Sequence, residues 1–178
     1  MLNTPCLIIR DYQPTDGADL FEMLSDEEVV MYEPYGVFSM AEACAEAVRR
    51  AGDPCFQAVC EKVSGKLIGN VYLAEQDFGT WELGYVFSTA FQGQGLATEA
   101  CRAMVSEIFS SGRGRRVVAM CNPLNVASWR LLERVGFRRE AHHVHNVWFD
   151  RDVEGEPIWQ DTYVYAVLRD EWHVDGDE

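Results

Sequence analysis

Hydrophobic and polar positions change period along this chain in a way that lays out most of its elements. Alternation from Cys6 to Tyr12 predicts a first strand, and Asp16 to about Tyr32 predicts one or two short acidic helices. Ser39 and Glu42 stand at capping-box spacing before the run ACAEAVRRAG, so a helix is expected to start there. CFQAVCEKV and LIGNVYLAEQ flank Ser64-Gly65-Lys66 and predict a hairpin, and TWELGYVFS adds a further strand in meander order. The period then switches. Ala97, Ala100, Cys101, Met104, Val105 and Ile108 recur at helical spacing, the stripe of an amphipathic helix that ends near Gly112. RRVVAMC predicts a short buried strand, NVASWRLLERVG a helix with Gly136 as its C-cap, and the remainder two long strands around the turn VEGEP. Neither an internal repeat nor a linker interrupts this order, so one domain over residues 1–178 is expected.

Composition supports a real core, since 48% of the 178 residues are hydrophobic. No apolar run approaches the ~20 residues that span a bilayer. The N-terminus MLNTPCLIIRDYQ has neither a basic n-region nor a long apolar h-region. A soluble, cytoplasmic protein with no membrane partner is therefore expected. The six cysteines form no C-x-x-C pair and mostly sit in apolar segments, where a thiol behaves as a small hydrophobe, so neither disulfides nor a zinc site are expected. The 29 acidic against 15 basic residues give a formal net charge of −14, which argues against nucleic acid and for cationic small partners. The charge is uneven. Asp16 to Glu33 holds seven acids and no Lys or Arg, whereas Arg102 to Arg139 holds eight arginines against two acids.

FQGQGLATEA, residues 91–100, places two glycines where the amphipathic helix must begin. A helix start carries unpaired N–H groups and the positive end of the dipole, and glycines let an anion approach the backbone. A Walker loop fails because no Lys follows Gly95, and a dinucleotide fingerprint would need glycine or alanine where Thr98 stands, in a β-α-β unit that a meander replaces here. A plain tight turn stays open as an alternative.

Gln92-Gly93-Gln94-Gly95-Leu96-Ala97 also resembles the Q/R-x-x-G-x-G/A signature of the GNAT acetyltransferases, and NVASWRLLERVGF resembles that family's N-x-x-S segment and the helix ending in Gly-Phe. The tail IWQDTYVYAVLRDEW resembles the last strand of the RimJ/RimL-type branch, whose members acetylate protein N-terminal amines, with relatives acting on polyamines and aminoglycosides. The resemblance implies an α/β (α+β) fold with a mixed, mostly antiparallel sheet of about seven strands flanked by helices, splayed between the fourth and fifth. It implies acetyl-CoA as co-substrate, bound at Gln92, Gly93, Gln94, Gly95, Leu96, Ala97 and Thr98, with Asn125 on the pantetheine arm and the arm paired to backbone near Val86 and Phe87. A bulge at Gly84 would open the gap.

In such an enzyme the amine attacks the thioester directly, so a proton must leave an ammonium and a thiolate must depart. The resemblance makes Glu82 the base, acting through water, and Ser128 the hydroxyl near the sulfur, able to protonate the thiolate. Read from the residues alone, Glu82 is equally a solvent-facing strand residue and Ser128 a first-turn serine bonded locally. The acid tyrosine that many members place before the Glu of E-x-x-G-F is replaced by Leu132. Arg113, Arg115 and Arg116 are either contacts to the 3′-phosphate or solvated. His143 and His145 share one face of the expected strand with no carboxylate or Cys partner, so no metal is expected. The acceptor cleft is expected to draw on Glu22, Glu33, His145 and Asp161, with Trp148 and Trp159 as cleft or core. The expected activity is N-acyl transfer to a small-molecule or peptide amine, by a monomer or homodimer; a silent CoA-binding regulatory module is the alternative.

Overall fold

The computed structural model describes residues 1–173. β1 (Leu2–Asn3) and β2 (Leu7–Asp11) lead into α1 (Gly17–Leu24), α2 (Glu27–Val30) and α3 (Met40–Ala51). A meander follows: β3 (Phe56–Glu61), β4 (Leu67–Gln76) and β5 (Thr80–Phe87). Then come α4 (Leu96–Ser110), β6 (Arg116–Cys121), α5 (Val126–Val135) and the long hairpin of β7 (Arg138–Arg151) and β8 (Pro157–Leu168). The eight strands lie in the order β1-β2-β3-β4-β5-β6-β8-β7, one more than expected because the two-residue β1 pairs with β2. β5 and β6 run parallel; every other neighbouring pair is antiparallel.

Local chemistry accounts for the helix ends. Ser39 Oγ accepts from the Glu42 N–H at 3.3 Å while the Glu42 carboxylate accepts from the Ser39 N–H at 2.8 Å, closing the capping box of α3. Asn125 Oδ1 caps α5 by accepting from the Ser128 N–H at 3.1 Å. At the other end Gly136, at φ 113°, turns the chain left-handed so that the Phe137 N–H reaches the Leu132 carbonyl at 2.9 Å and Phe137 is buried. α4 differs: its N-cap is Gly95, and no side chain caps it.

Two apolar layers sandwich the sheet. One packs Leu83, Trp81, Val117 and Tyr165 against Ala100, Cys101, Val105, Leu131 and Leu132 of α4 and α5; the other packs Val86, Ala58 and Leu67 against Leu20, Leu24 and Ala47 of α1 and α3. Alternation along β5 therefore turns Trp81, Leu83, Tyr85 and Phe87 toward α4 and α5, and Glu82, Gly84 and Val86 toward the first three helices.

The splay is present. β5 pairs with β6 only from Thr80 to Leu83, matched to Arg116 to Ala119, and beyond that point the two strands part. The expected bulge at Gly84 is not its cause. β5 holds unbroken register with β4 straight through Gly84, which lies opposite Tyr72. Past that point each strand keeps its other neighbour, β5 with β4 to Phe87 and β6 with β8 to Cys121, so the gap separates two intact parts of the sheet.

Candidate active site

The gap opens into a cleft of about 1920 Å³. Pockets for one small ligand run to roughly 1,000 Å³, so this one has room for two reactants end to end. Glu82, Val86, Phe87, Gln92, Gly93, Gly95, Leu96, Ala97, Thr98, Asn125 and Ser128 line it. From Gly84 to Phe87, β5 has a ladder partner on β4 and none on β6, which leaves a strip of backbone facing the gap. Gln94 lies in the same turn but does not line the cleft.

At the floor of the cleft sits the start of α4. Gly93 and Gly95 adopt φ of 74° and 80°, conformations L side chains rarely take, and a Cβ at either would meet nothing within 4 Å. The glycines are thus required by the backbone, and what they face is open space. The first amide to find its acceptor within the helix is that of Glu99, bonded to the Gly95 carbonyl at 3.0 Å. Leu96, Ala97 and Thr98 stand at the uncapped first turn, where N–H groups and the helix dipole favour an anion. A pyrophosphate fits this cradle by its chemistry.

Glu82 and Ser128 belong to opposite faces of the sheet and share a space only through the gap. Glu82 is half-buried and accepts from Gln76 Nε2 at 3.1 Å. Ser128 meets a residue the sequence reading passed over: the Tyr85 phenol lies 2.9 Å from Ser128 Oγ and donates to the Ser128 carbonyl at 3.0 Å. Burial pushes Tyr85 well above the usual phenol value. Cys121, at the end of β6, is pushed up to about 11 by burial, against the pull of a hydrogen bond from Ser128. The W-E-L-G-Y alternation carried the signal for Tyr85, since it puts position 85 across the strand from Glu82.

The wall toward α1–α3 is acidic and aromatic. Asp26, Glu27, Glu28 and Glu33 line it, with Tyr32, Tyr35, Phe56 and Tyr72. Burial raises the Glu33 carboxyl above its ordinary value, while Tyr35 and Arg50 pull the other way. Asp26 accepts from Thr89 Oγ1 at 2.6 Å and from the Glu28 N–H at 2.9 Å, bonds that hold its carboxyl below the usual range. Tyr32 donates to the Leu124 carbonyl at 3.3 Å, so α2 reaches both edges of the gap. Arg50, only 2% exposed, holds this wall together and was not singled out from the sequence.

Other residues expected at the acceptor end lie elsewhere. Glu22 does not line the cleft; its carboxylate takes Lys66 Nζ at 2.6 Å. The acidic stretch also has counter-charges from outside it, with Asp16 held by Arg10 at 2.8 Å. His145 is 71% exposed and outside the cleft, because the β7–β8 register breaks between His143 and Val147 and His145 turns to φ 48°. That break also ends the shared face of His143 and His145. Asp161 does line the cleft, yet its oxygens are committed to the His145 N–H at 2.9 Å and to His142 Nε2 at 2.7 Å. Trp148 and Trp159 pair across the hairpin, exposed and away from the cleft. Arg113 and Arg116 pair with Glu107 and Glu140, and Arg115 donates to the Phe78 carbonyl; none lines the cleft, whereas Arg134 does. Among the described residues no group of three or more His, Cys, Asp or Glu is placed to hold a metal, and no helix is long and apolar enough to cross a membrane.

Comparison with known proteins agrees with this geometry. Residues 7–138 match the model of the acetyltransferase (GNAT) domain. An uncharacterised N-acetyltransferase of Bacillus subtilis strain 168, YnaD, is 32% identical over 175 residues, covering 97% of this chain and 99% of that protein. Among solved structures, a GNAT-family acetyltransferase from Bacillus anthracis superimposes with a TM-score of 0.84 at 27% identity, covering 95% of this chain and 98% of that one. A spermidine N-acetyltransferase from Vibrio cholerae, solved with CoA and spermine, shares the fold with a TM-score of 0.76 at 18% identity, over 94% and 98% of the two chains. The open start of α4, the parted strands and these matches together place the chain in the GNAT family of acetyl-CoA-dependent N-acetyltransferases.

Proposed function

We propose that this chain is one domain over residues 1–178 that acetylates a cationic primary amine, in the manner of the RimJ/RimL-type branch that its last strand resembles. A peptide or protein N-terminus is the first candidate, and polyamines and aminoglycosides are the others. The observation that supports this reading is that Glu82, Ser128 and the uncapped start of α4 all line the same cleft. All six cysteines are free, which favours a reducing compartment and hence the cytoplasm.

Acetyl-CoA supplies an activated acyl carbon and a thiol as leaving group. The Gln92 to Thr98 segment holds its pyrophosphate through backbone donors. Val86, Phe87 and Asn125 align the pantetheine arm. Glu82, on the face shared with the acidic wall, takes the proton of the arriving ammonium through water. Ser128, on the other face, donates to the sulfur as the thiolate departs. Glu33 and its acidic neighbours attract the cation.

Thiol release from acetyl-CoA with a panel of amines tests the reading directly. Glu82→Gln should lower turnover by about 10²-fold below the pKa of the amine and less above it, and Ser128→Ala by about tenfold across the range. If both variants keep the parent rate from about pH 6 to pH 9, these two residues have no catalytic role.

The acidic wall makes a second prediction, now resting on residues that line the cleft. Long-range attraction is screened over ~8 Å at physiological ionic strength. kcat/KM for the best amine should therefore fall as salt rises, and Glu28→Gln with Glu33→Gln should lower both kcat/KM and its salt slope. A salt-independent kcat/KM leaves these acids only a solubility role.

A further inference from the structure

The Tyr85–Ser128–Cys121 cluster has more order than local packing asks of it. Ser128 is pinned at three points: its N–H to Asn125 Oδ1 at 3.1 Å, its carbonyl to the Tyr85 phenol at 3.0 Å, and its Oγ to the same phenol at 2.9 Å. Tyr85 is held in turn, being on β5 with its ring packed against the α4–α5 core layer. A serine in the first turn of a helix gains nothing in capping from a tyrosine 43 residues away. Ser128 and Cys121 both line the cleft, so the serine hydroxyl opens onto the space where a coenzyme sulfur would lie.

We propose that Tyr85 is a positioning residue, whose phenol donates to Ser128 Oγ so that the Ser128 hydroxyl hydrogen is presented to the sulfur of the departing coenzyme. The inference rests on the role given to Ser128 above. The phenol hydrogen has two acceptors, the carbonyl and Oγ, at almost equal distance. While it rests on the carbonyl, the serine hydrogen is free to turn to the phenol oxygen or into the cleft. With negative charge growing on a sulfur in the gap, Ser128 turns its hydrogen there and Tyr85 swings onto Oγ. Two bonds in one sense along a chain strengthen each other. Burial keeps the phenol protonated, and so a donor, throughout the working range.

The proton and electron balance needs no further reagent. Two protons leave the nitrogen on the Glu82 side, one before attack to free the lone pair and one after the C–N bond has formed, while the C–S pair leaves on sulfur. Ser128 donates a hydrogen bond and keeps its proton, and the released thiolate recovers a proton from solvent.

The test needs no acceptor amine. The thiol pKa of coenzyme A bound to the full chain is read from ultraviolet thiolate absorbance, with the desulfo-CoA complex as blank against the protein's own cysteines. The bound thiol should titrate below the free coenzyme. Ser128→Ala and Tyr85→Phe should each raise it by about 0.5–1 pKa unit, as the loss of one hydrogen bond implies, and the double variant no further than Ser128→Ala alone. Tyr85→3-fluorotyrosine, of unchanged shape and stronger donor character, should hold the value or lower it, which keeps the test open if Tyr85→Phe folds poorly. Tyr85→Phe matching the parent while Ser128→Ala is raised overturns the inference and leaves Ser128 standing. Additive effects of the two variants also overturn it. An unchanged Ser128→Ala removes the role of Ser128 itself, and the inference with it.

Discussion

Thr98→Asp is expected to lower the affinity for coenzyme A more than tenfold while leaving the thermal midpoint unchanged or slightly raised. Thr98 is the third residue of α4, half-buried and lining the cleft. A carboxylate there sits where the helix dipole favours negative charge, worth about 0.3–1 kcal/mol of stability. It also occupies the place and the donors that a pyrophosphate would use, and repels the ligand across a short distance. Losing more than about 1.4 kcal/mol of binding is a tenfold change. The opposite signs separate a binding effect from damage to the fold. Ala41→Asp, in the exposed first turn of α3, shares the dipole gain and should leave affinity alone. Calorimetric titration of both variants decides the matter, and Thr98→Asp within twofold of the parent would remove the start of α4 as the anion site. This substitution is cleaner than Gly95→Val. At φ 80° a β-branched residue is strained in itself, so Gly95→Val would cost about 1–3 kcal/mol of stability and confuse the reading.

Arg50→Met should cost about 3 kcal/mol of stability, the largest single loss expected from one side chain at the cleft wall. The guanidinium donates to Glu46 at 2.7 Å, to Asn70 Oδ1 at 2.9 Å and to the Tyr12 hydroxyl at 3.2 Å. It also lies 4.7 Å from the centroid of the Phe56 ring. Methionine refills much of the apolar space but supplies no donor. Asn70 and Tyr12 are themselves 3% and 4% exposed, so their oxygens lose a partner that water cannot replace. Glu46 keeps its bidentate pair with Arg49 at 2.7 Å, so the loss falls on Asn70 and Tyr12. For a chain of this length the loss corresponds to a fall in Tm of about 6–12 °C. Coenzyme A affinity should hold, because the α4 cradle lies on another part of the cleft, whereas kcat/KM for the amine should drop with the loosened wall. A Tm within about 2 °C of the parent would mean that the network adds little to stability.

Much of the fold was legible because it is decided within a few residues. The stripe from Ala97 to Ile108, the Ser39–Glu42 box, the Asn125 cap and the Gly136 stop are local patterns, and each forms where the spacing places it. The floor of the site was legible for the same reason, since the Gly93–Gly95 turn and the first turn of α4 are adjacent in sequence. Periodicity also told which residues of β5 share a face. What it could not tell was which neighbour each face would meet. Glu22 sits in an acidic run, yet Lys66, brought alongside by the packing of α1, neutralises it away from the cleft. His145 alternates correctly on paper, but a break in the β7–β8 register turns it outward. Tyr85 reaches Ser128 only because β5 and β6 part after Leu83, which lets α5 close over the end of the gap. Arg50 becomes a buried hub only once β2 and β4 lie beneath α3. The sequence by itself determined the elements, their caps and the open start of α4; the tertiary structure alone decided which charges are free to act, because a side chain's partner is set by strand order and register over tens of residues, and no local spacing encodes that.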